Sequence, residues 1–213
     1  MLVDATLNWK YHISNISKKI SRGIGIMYKL RPFLPLNIMK NVYYSLIYSH
    51  ILYAIEVWGS ACKTELDKII VLQKRVIRMM VYKDQYNEVP GPLSSSDPIF
   101  ARLQTLKVVD IYKFQTCKFI FKCLNQLTPD NFHQWYLYNH DIHTHNTRAN
   151  YNSDCMALNS LFVPFARTTN YGLKQLRING PRIWNSLPTQ IRKLTSLNIF
   201  LKKLKLHLIS DYS

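Results

Sequence analysis

Ile13, Ile16, Ile20, Ile24 and Met27 recur at steps of three and four residues, which places them on one face of a helix. Lys18, Lys19, Arg22 and Lys29 fall largely on its other sides. Pro32 and Pro35 interrupt the pattern, because proline removes a backbone donor and clashes with the preceding turn. A second helix is expected from Leu36 to about Tyr53. It is apolar nearly all round and rich in aromatics, which predicts the central, most buried helix. A third is expected to begin near Thr64, with Thr64 as N-cap and Glu65 and Asp67 in the first turn beside the positive end of the helix dipole. Its apolar face reads Leu66, Ile69, Ile70, Leu72, Val76, Ile77 and Met80, and Lys68, Lys74, Arg75 and Arg78 occupy the other side. Short connections between three amphipathic helices predict a compact bundle over residues 1–83.

Residues 84–97 hold Pro90, Gly91, Pro92 and three consecutive serines, and read as a linker. A helical region is expected over 98–138. Ser96 or Asp97 caps its first helix with Pro98 in the opening turn. A longer helix from Asp110 to Leu127 then presents Ile111, Phe114, Cys117, Ile120, Phe121 and Leu124, and Thr128-Pro129-Asp130 ends it. Residues 139–213 read as a basic tail. Its first part, to Ser160, is polar and irregular. Leu161 to Thr168 and Leu173 to Ile178 then read as two strands around an Asn170-Tyr171-Gly172 turn, with Gly180-Pro181 closing the second. A short helix over Pro181 to Leu187 follows. A last one over Ser196 to Ile209 has Phe200, Leu204 and Leu208 inside and Lys202, Lys203 and Lys205 outside. The expected class is therefore mainly α: an N-terminal three-helix bundle, a helical middle, and a C-terminal small β-hairpin plus helices. There is no internal repeat.

Composition changes the picture through charge. Hydrophobic residues make up 47% of the 213 residues, enough for a folded core, while 28 Lys and Arg against 12 Asp and Glu give a net charge of +16. A surplus of this size repels itself in the folded state unless a polyanion answers it. Nucleic acid is the first candidate, an anionic membrane surface the second, and a merely soluble basic protein the plain alternative. The surplus is uneven. From Cys155 to Ser210 there is no acidic residue, against Arg167, Lys174, Arg177, Arg182, Arg192, Lys193, Lys202, Lys203 and Lys205. A single-sign stretch of this kind reads as a phosphate-facing surface.

The four cysteines, Cys62, Cys117, Cys123 and Cys155, form no C-x-x-C pair, which argues against a zinc finger or knuckle. Cys117 and Cys123 fall on an apolar helical stretch, where buried thiols are ordinary. A reducing intracellular compartment is expected, cytoplasm or nucleus, without disulfides. No basic segment followed by an apolar core opens the chain. The longest uncharged apolar stretch, Asn41 to Ile55, is too short for a bilayer and carries Asn41, Ser45, Ser49 and His50. No membrane association is expected. His140, His143 and His145 cluster in a predicted loop with only Asp141 and Cys155 near. Surface histidines are a simpler reading of them than a metal site, so no metal or other cofactor is assigned. Trp9, Trp58, Trp135 and Trp184 could stack on bases, but apolar neighbours favour a core role for Trp58 and Trp184.

Several motifs occur in a fixed order. Leu2-Val3-Asp4-x-x-Leu7-x-Trp9-x-x-His12-Ile13-x-x-Ile16 comes first, and Tyr43-Tyr44-Ser45-Leu46-Ile47-Tyr48-Ser49 runs on through Tyr53 to Trp58-Gly59-Ser60. Leu72-Gln73-Lys74-Arg75-Val76-Ile77-Arg78 and Asn146-Thr147-Arg148 follow, and Gly180-Pro181-Arg182-Ile183-Trp184-Asn185-Ser186-Leu187-Pro188 leads to Ser196 and Phe200-x-x-x-Leu204. This ordered set resembles the C-terminal part of reverse transcriptases from non-LTR retrotransposons of the LINE and jockey type, from the end of the palm through the thumb and tail. The upstream Leu-Gly pair of the family's palm strand is missing, and the first residue already falls inside the pattern.

The resemblance implies that the three-helix bundle is the thumb, which packs on a primer–template duplex. Lys18, Lys19, Arg22, Lys74, Arg75 and Arg78 would then meet phosphates without regard to sequence. Arg148, Arg167, Arg177, Arg182, Lys202 and Lys203 would extend that surface. The expected partner is RNA or an RNA–DNA hybrid. The family's catalysis uses an aromatic-x-Asp-Asp turn and a further aspartate to hold two metal ions. This chain has no adjacent pair of acids, and Glu65 and Asp67 have a simpler role at a helix start. No catalytic residue is assigned, and the palm is expected before Met1. Three alternatives stand beside this one. The cationic helix faces could be merely solvated. The chain could be a protein-interaction module that docks the palm or itself. It could also be the product of a truncated element with no role.

Overall fold

The periodicity of the first third becomes helix almost residue for residue. In the computed structural model, residues 1–81, 95–142 and 159–212 are described, and the chain is mainly helical. It divides into two compact units, Met1–Ile111 with Leu208–Ser213, and Tyr112–His207. Of the expected linker 84–97 only the last three residues lie among those described.

In the first unit, α1 (Lys10–Leu30) buries His12, Ile13, Ile16, Ile20, Gly23, Ile24 and Met27 on one side. Its start is held by Asp4, whose carboxylate accepts the backbone N–H groups of Thr6, Asn8 and Trp9 at 3.0 to 3.1 Å. Those bonds hold Trp9 at a φ of 66°, a left-handed conformation that bulky residues seldom take. His12 is buried between the edges of Trp9 and Trp58, with ring centroids at 6.4 and 6.0 Å. Its Nδ1 accepts the Leu2 N–H at 3.3 Å.

The second helical stretch comprises α2 (Leu36–Tyr43), a π-helical turn over Tyr44–Tyr48, and α3 (Ser49–Leu52). It is not buried all round. Met39, Tyr43, Ile47 and Ile51 are fully enclosed, whereas Ile38 is exposed and Ser45 and Ser49 turn their hydroxyls back onto the carbonyls of Asn41 and Ser45. Four-residue steps drift around an α-helix. The wider π turn advances less per residue and keeps the four core side chains on one line. After a left-handed Ala54 (φ 52°) comes α4 (Ile55–Trp58), with the Trp58 indole donating to the Tyr53 carbonyl at 2.8 Å. Helix α5 (Lys63–Val81) starts a residue before Thr64, because the Cys62 carbonyl accepts from Glu65 and Leu66. Helix α1, the 36–52 stretch and α5 pack on one another.

Gln73 of α5 is wholly buried among these helices. Its amide donates to the Tyr43 hydroxyl at 2.9 Å and the Leu106 carbonyl at 3.0 Å, and its carbonyl accepts the Val108 N–H at 3.0 Å. Helix α6 (Asp97–Leu103) carries Pro98 in its first turn. It leads through Gln104, at a φ of 52°, to α7 (Val108–Leu124). The chain terminus returns to this corner. Tyr212 donates to Asp110 at 2.6 Å and accepts the Lys107 N–H at 3.0 Å, and the Lys107 ammonium lies 4.0 Å above its ring.

The second unit is built around aromatics. Phe121 stacks on Phe200 at 4.5 Å, Trp184 lies 5.6 Å from Phe200, and Phe119 meets Phe132, Trp135 and Tyr136 edge-on. A 3-10 turn (Asp130–Trp135) and α8 (Asn139–Ile142) follow α7. The expected hairpin does not form. Leu161 makes an isolated bridge to Tyr138, Thr169–Leu173 coils into a π turn, and α9 (Leu176–Asn185) occupies the expected second strand. Two constraints account for this. Gly172 is pressed so closely on Ala166 that a Cβ there would stand 2.8 Å from the alanine methyl. Leu176, Gly180 and Trp184 also repeat every four residues, which is a helical face. Pro181 lies within α9 and is buried, so it does not stop the element. Then α10 (Thr189–Arg192) and α11 (Leu197–Ser210) complete the chain, with Phe200, Leu204 and Leu208 buried as expected.

Replacing Gln73 by Leu strands the Leu106 carbonyl and the Val108 N–H in the core, and destabilises the protein by about 3 kcal/mol in urea unfolding, against about 1 kcal/mol for Tyr43→Phe. Burial lowers the His12 pKa below its ordinary 6.5, with the N-terminal amine and Lys19 adding to the effect. The folded state therefore binds the proton less readily than the unfolded chain. Stability is held above pH 6.5 and declines as pH falls below it toward the folded-state pKa. A His12→Gln variant is expected to lose that slope in a series of thermal melts.

Candidate nucleic-acid interface

Helix α1 carries five cations, Lys10, Lys18, Lys19, Arg22 and Lys29, and no acid, and all five are exposed. Lys18 and Arg22 lie one turn apart on the same side, with Lys19 beside them. On α5, Arg75 is exposed and Lys74 and Arg78 are half-buried. Lys74 and Arg78, four residues apart, share a face. Lys68 on this helix is paired with Glu65 at 2.6 Å, and an exposed pair of that kind holds the lysine only weakly.

In the second unit, Arg167, Arg177, Arg182, Lys202 and Lys203 are all exposed. Arg177 and Arg182 are about 140° apart around α9, so they do not share one face. Arg148, His143 and His145 lie outside the described residues. His140 is exposed, stacks on Tyr138 at 5.3 Å and lies 3.2 Å from the Asp141 carboxylate. Among the described residues no three His, Cys, Asp or Glu side chains gather as a metal site would need.

The candidate cations are mostly without protein partners. Lys18, Arg22, Lys74, Arg75, Arg167, Arg182, Lys202 and Lys203 make no hydrogen bond or ion pair among the described residues. Arg192 differs from the rest of the acid-free stretch. It is buried, donates from Nε to the Leu187 carbonyl at 3.1 Å and from Nη1 to the Asn159 carbonyl at 3.0 Å, and its pKa is lowered by that burial. Lys174 is half-buried and reaches Asn170 at 3.0 Å. These two belong to the fold, and no pattern of charge along the chain marks them out.

The motif residues are also structural. Trp58 and Trp184 are buried. The Asn185 amide pairs with Leu161 in both directions, accepting its N–H and donating to its carbonyl, each at 2.8 Å. A Cβ on Gly180 would stand 3.1 Å from the Tyr136 hydroxyl and from Ile120. A cavity lined by Arg31, Pro32, Phe33, Leu34, Pro35, Leu36, Met39 and Met80 adjoins the α1–α2 connection. Its lining contains no acid, histidine or thiol, so no acid–base or metal chemistry follows from it. No helix among the described residues is long and apolar enough to cross a membrane.

No family model matches the chain, and neither a curated protein nor a solved structure matches it.

Arg192 and Arg182 are neighbours in sequence with opposite environments. Arg192→Ala removes the donor to the Leu187 carbonyl and leaves the Asn159 carbonyl only the longer bond from the Trp184 indole at 3.4 Å. It is expected to lower stability by about 2 kcal/mol, whereas Arg182→Ala stays within about 0.5 kcal/mol. Chemical denaturation of the two variants compares them directly.

Proposed function

We propose that this chain is a non-catalytic, sequence-independent nucleic-acid grip, equivalent to the thumb and tail of a non-LTR retrotransposon reverse transcriptase. Its partner is RNA or an RNA–DNA hybrid. The observation that carries this reading is α1, a 21-residue helix with five exposed cations and no acid. Among the described residues no carboxylate pairs with its Lys18 or Arg22. Such a face gains free energy from phosphates by releasing condensed counterions, without reading bases. In this reading α1, the 36–52 stretch and α5 form the thumb-like three-helix bundle, and Arg75, Lys202 and Lys203 add further phosphate contacts. Polymerisation itself is assigned to no residue of this chain.

A second reading is supported by exposed apolar residues. Phe33 is 81% and Phe165 84% exposed, and large apolar groups left in water favour a protein partner or self-association. Light scattering with and without RNA separates the two, since an oligomer indifferent to RNA supports the second.

Binding to a short RNA–DNA hybrid is expected to weaken steeply with salt, with a log–log slope of about −3 if three phosphates are neutralised. Lys18→Glu with Arg22→Glu should flatten that slope by about 2 units. Affinity that ignores salt rejects the reading. Primer extension with the purified protein should show no template-dependent incorporation.

A further inference from the structure

Helix α1 contains two glycines, and the structure accounts for one of them. A Cβ on Gly23 would stand 3.2 Å from Ile47 Cγ1 and 3.3 Å from the Leu46 carbonyl, so Gly23 lets the 36–52 stretch approach closely. Gly25 is different. It is exposed, its φ is negative, and a Cβ there would meet nothing within 4 Å. A glycine in a helix interior weakens the helix relative to alanine, and neither packing nor backbone geometry requires one here.

Its surroundings suggest what does. Tyr11, Lys18, Arg22, Gly25 and Lys29 all fall within about 40° of one line along α1, opposite the buried row of Ile13, Ile20 and Met27. That line runs for about 27 Å. All five residues on it are exposed, and Tyr11 is 71% exposed. Gly25 is thus a bare stretch of helix backbone between two cations, one turn after Arg22 and one turn before Lys29. Glycine in such a place is what lets another backbone come into contact.

We propose that Gly25 is the point where the sugar-phosphate backbone of a bound nucleic acid touches α1. Arg22 and Lys29 hold the phosphates on either side, and Lys18 holds one further along. The inference rests on the nucleic-acid reading and deepens it by naming the contact that a side chain at position 25 would block. Charge selects the occupant: a helix with five cations and no acid suits a polyanion, and the cations along the line match a run of phosphates. Tyr11, at one end of the line, offers a ring for a terminal base.

The test compares the unchanged chain with Gly25→Ala and Gly25→Leu. Fluorescence anisotropy measures binding to a labelled RNA–DNA hybrid at two salt concentrations, and thermal melting is recorded alongside. Both substitutions favour the helix, so the melting temperature should rise, by about 2 °C or more for alanine. Binding should move the opposite way. A loss of about threefold is expected for alanine and about tenfold for leucine, with the salt slope flattened by up to about 0.9 as one phosphate contact is lost. A more stable variant that binds less well separates a contact role from a structural one. If the unchanged chain binds the hybrid and both variants bind equally or better, the Gly25 contact is refuted while the broader reading stands. If the unchanged chain does not bind nucleic acid, or binds only anionic phosphatidylserine vesicles run in parallel, both are refuted.

Discussion

The side-chain amide of Gln73 is wholly buried where three segments of the first unit meet. Every polar atom of that amide is used: the nitrogen toward Tyr43 and the Leu106 carbonyl, the oxygen toward the Val108 N–H. Buried polar groups are tolerable only on those terms, and a network that meets them specifies one arrangement while a half-satisfied one penalises all. The register of α5 against the 36–52 stretch, and the position at which α7 begins, both follow from this amide. A slip of one residue would leave its donors and acceptors facing hydrocarbon.

The second unit solves a similar problem with other residues. Leu161 has few backbone partners, so Asn185 lends its side-chain amide as a substitute strand. The Asn159 carbonyl is met by Arg192. Gly180 lets α9 press on Tyr136 and Ile120. The residues of the Gly180-Pro181-Arg182-Ile183-Trp184-Asn185 motif therefore work largely inside the fold. Of these six only Arg182 is exposed.

Setting the structural cations aside narrows the basic surface to residues that the fold itself does not bury. Removing Arg192 and Lys174 from the acid-free stretch leaves Arg167, Arg177, Arg182, Lys193, Lys202 and Lys203 exposed. On α1 no subtraction is needed. Its apolar side chains and its cations lie on opposite faces of one helix, isoleucines inward and lysines and arginine outward, and changes on one face need not disturb the other. Gly25 is the exception, an exposed glycine that weakens the helix on its cationic face.

The sequence by itself determined the helices whose apolar residues repeat at helical spacing, α1, α5, α7 and α11, together with the net charge and the exposed side of α1. Those features depend on local periodicity and on the poor solvation of charge in a core, and both can be read one residue at a time. The tertiary structure decided the rest. Leu173 to Ile178 carries apolar residues compatible with either strand or helix, and only the helix places Leu176, Gly180 and Trp184 against the aromatic core. The 36–52 stretch is apolar in composition, yet packing buries one line of it. Gln73 and Arg192 look like surface residues in any linear reading. Burial becomes favourable for them only when distant segments supply the partners, and that depends on three-dimensional proximity.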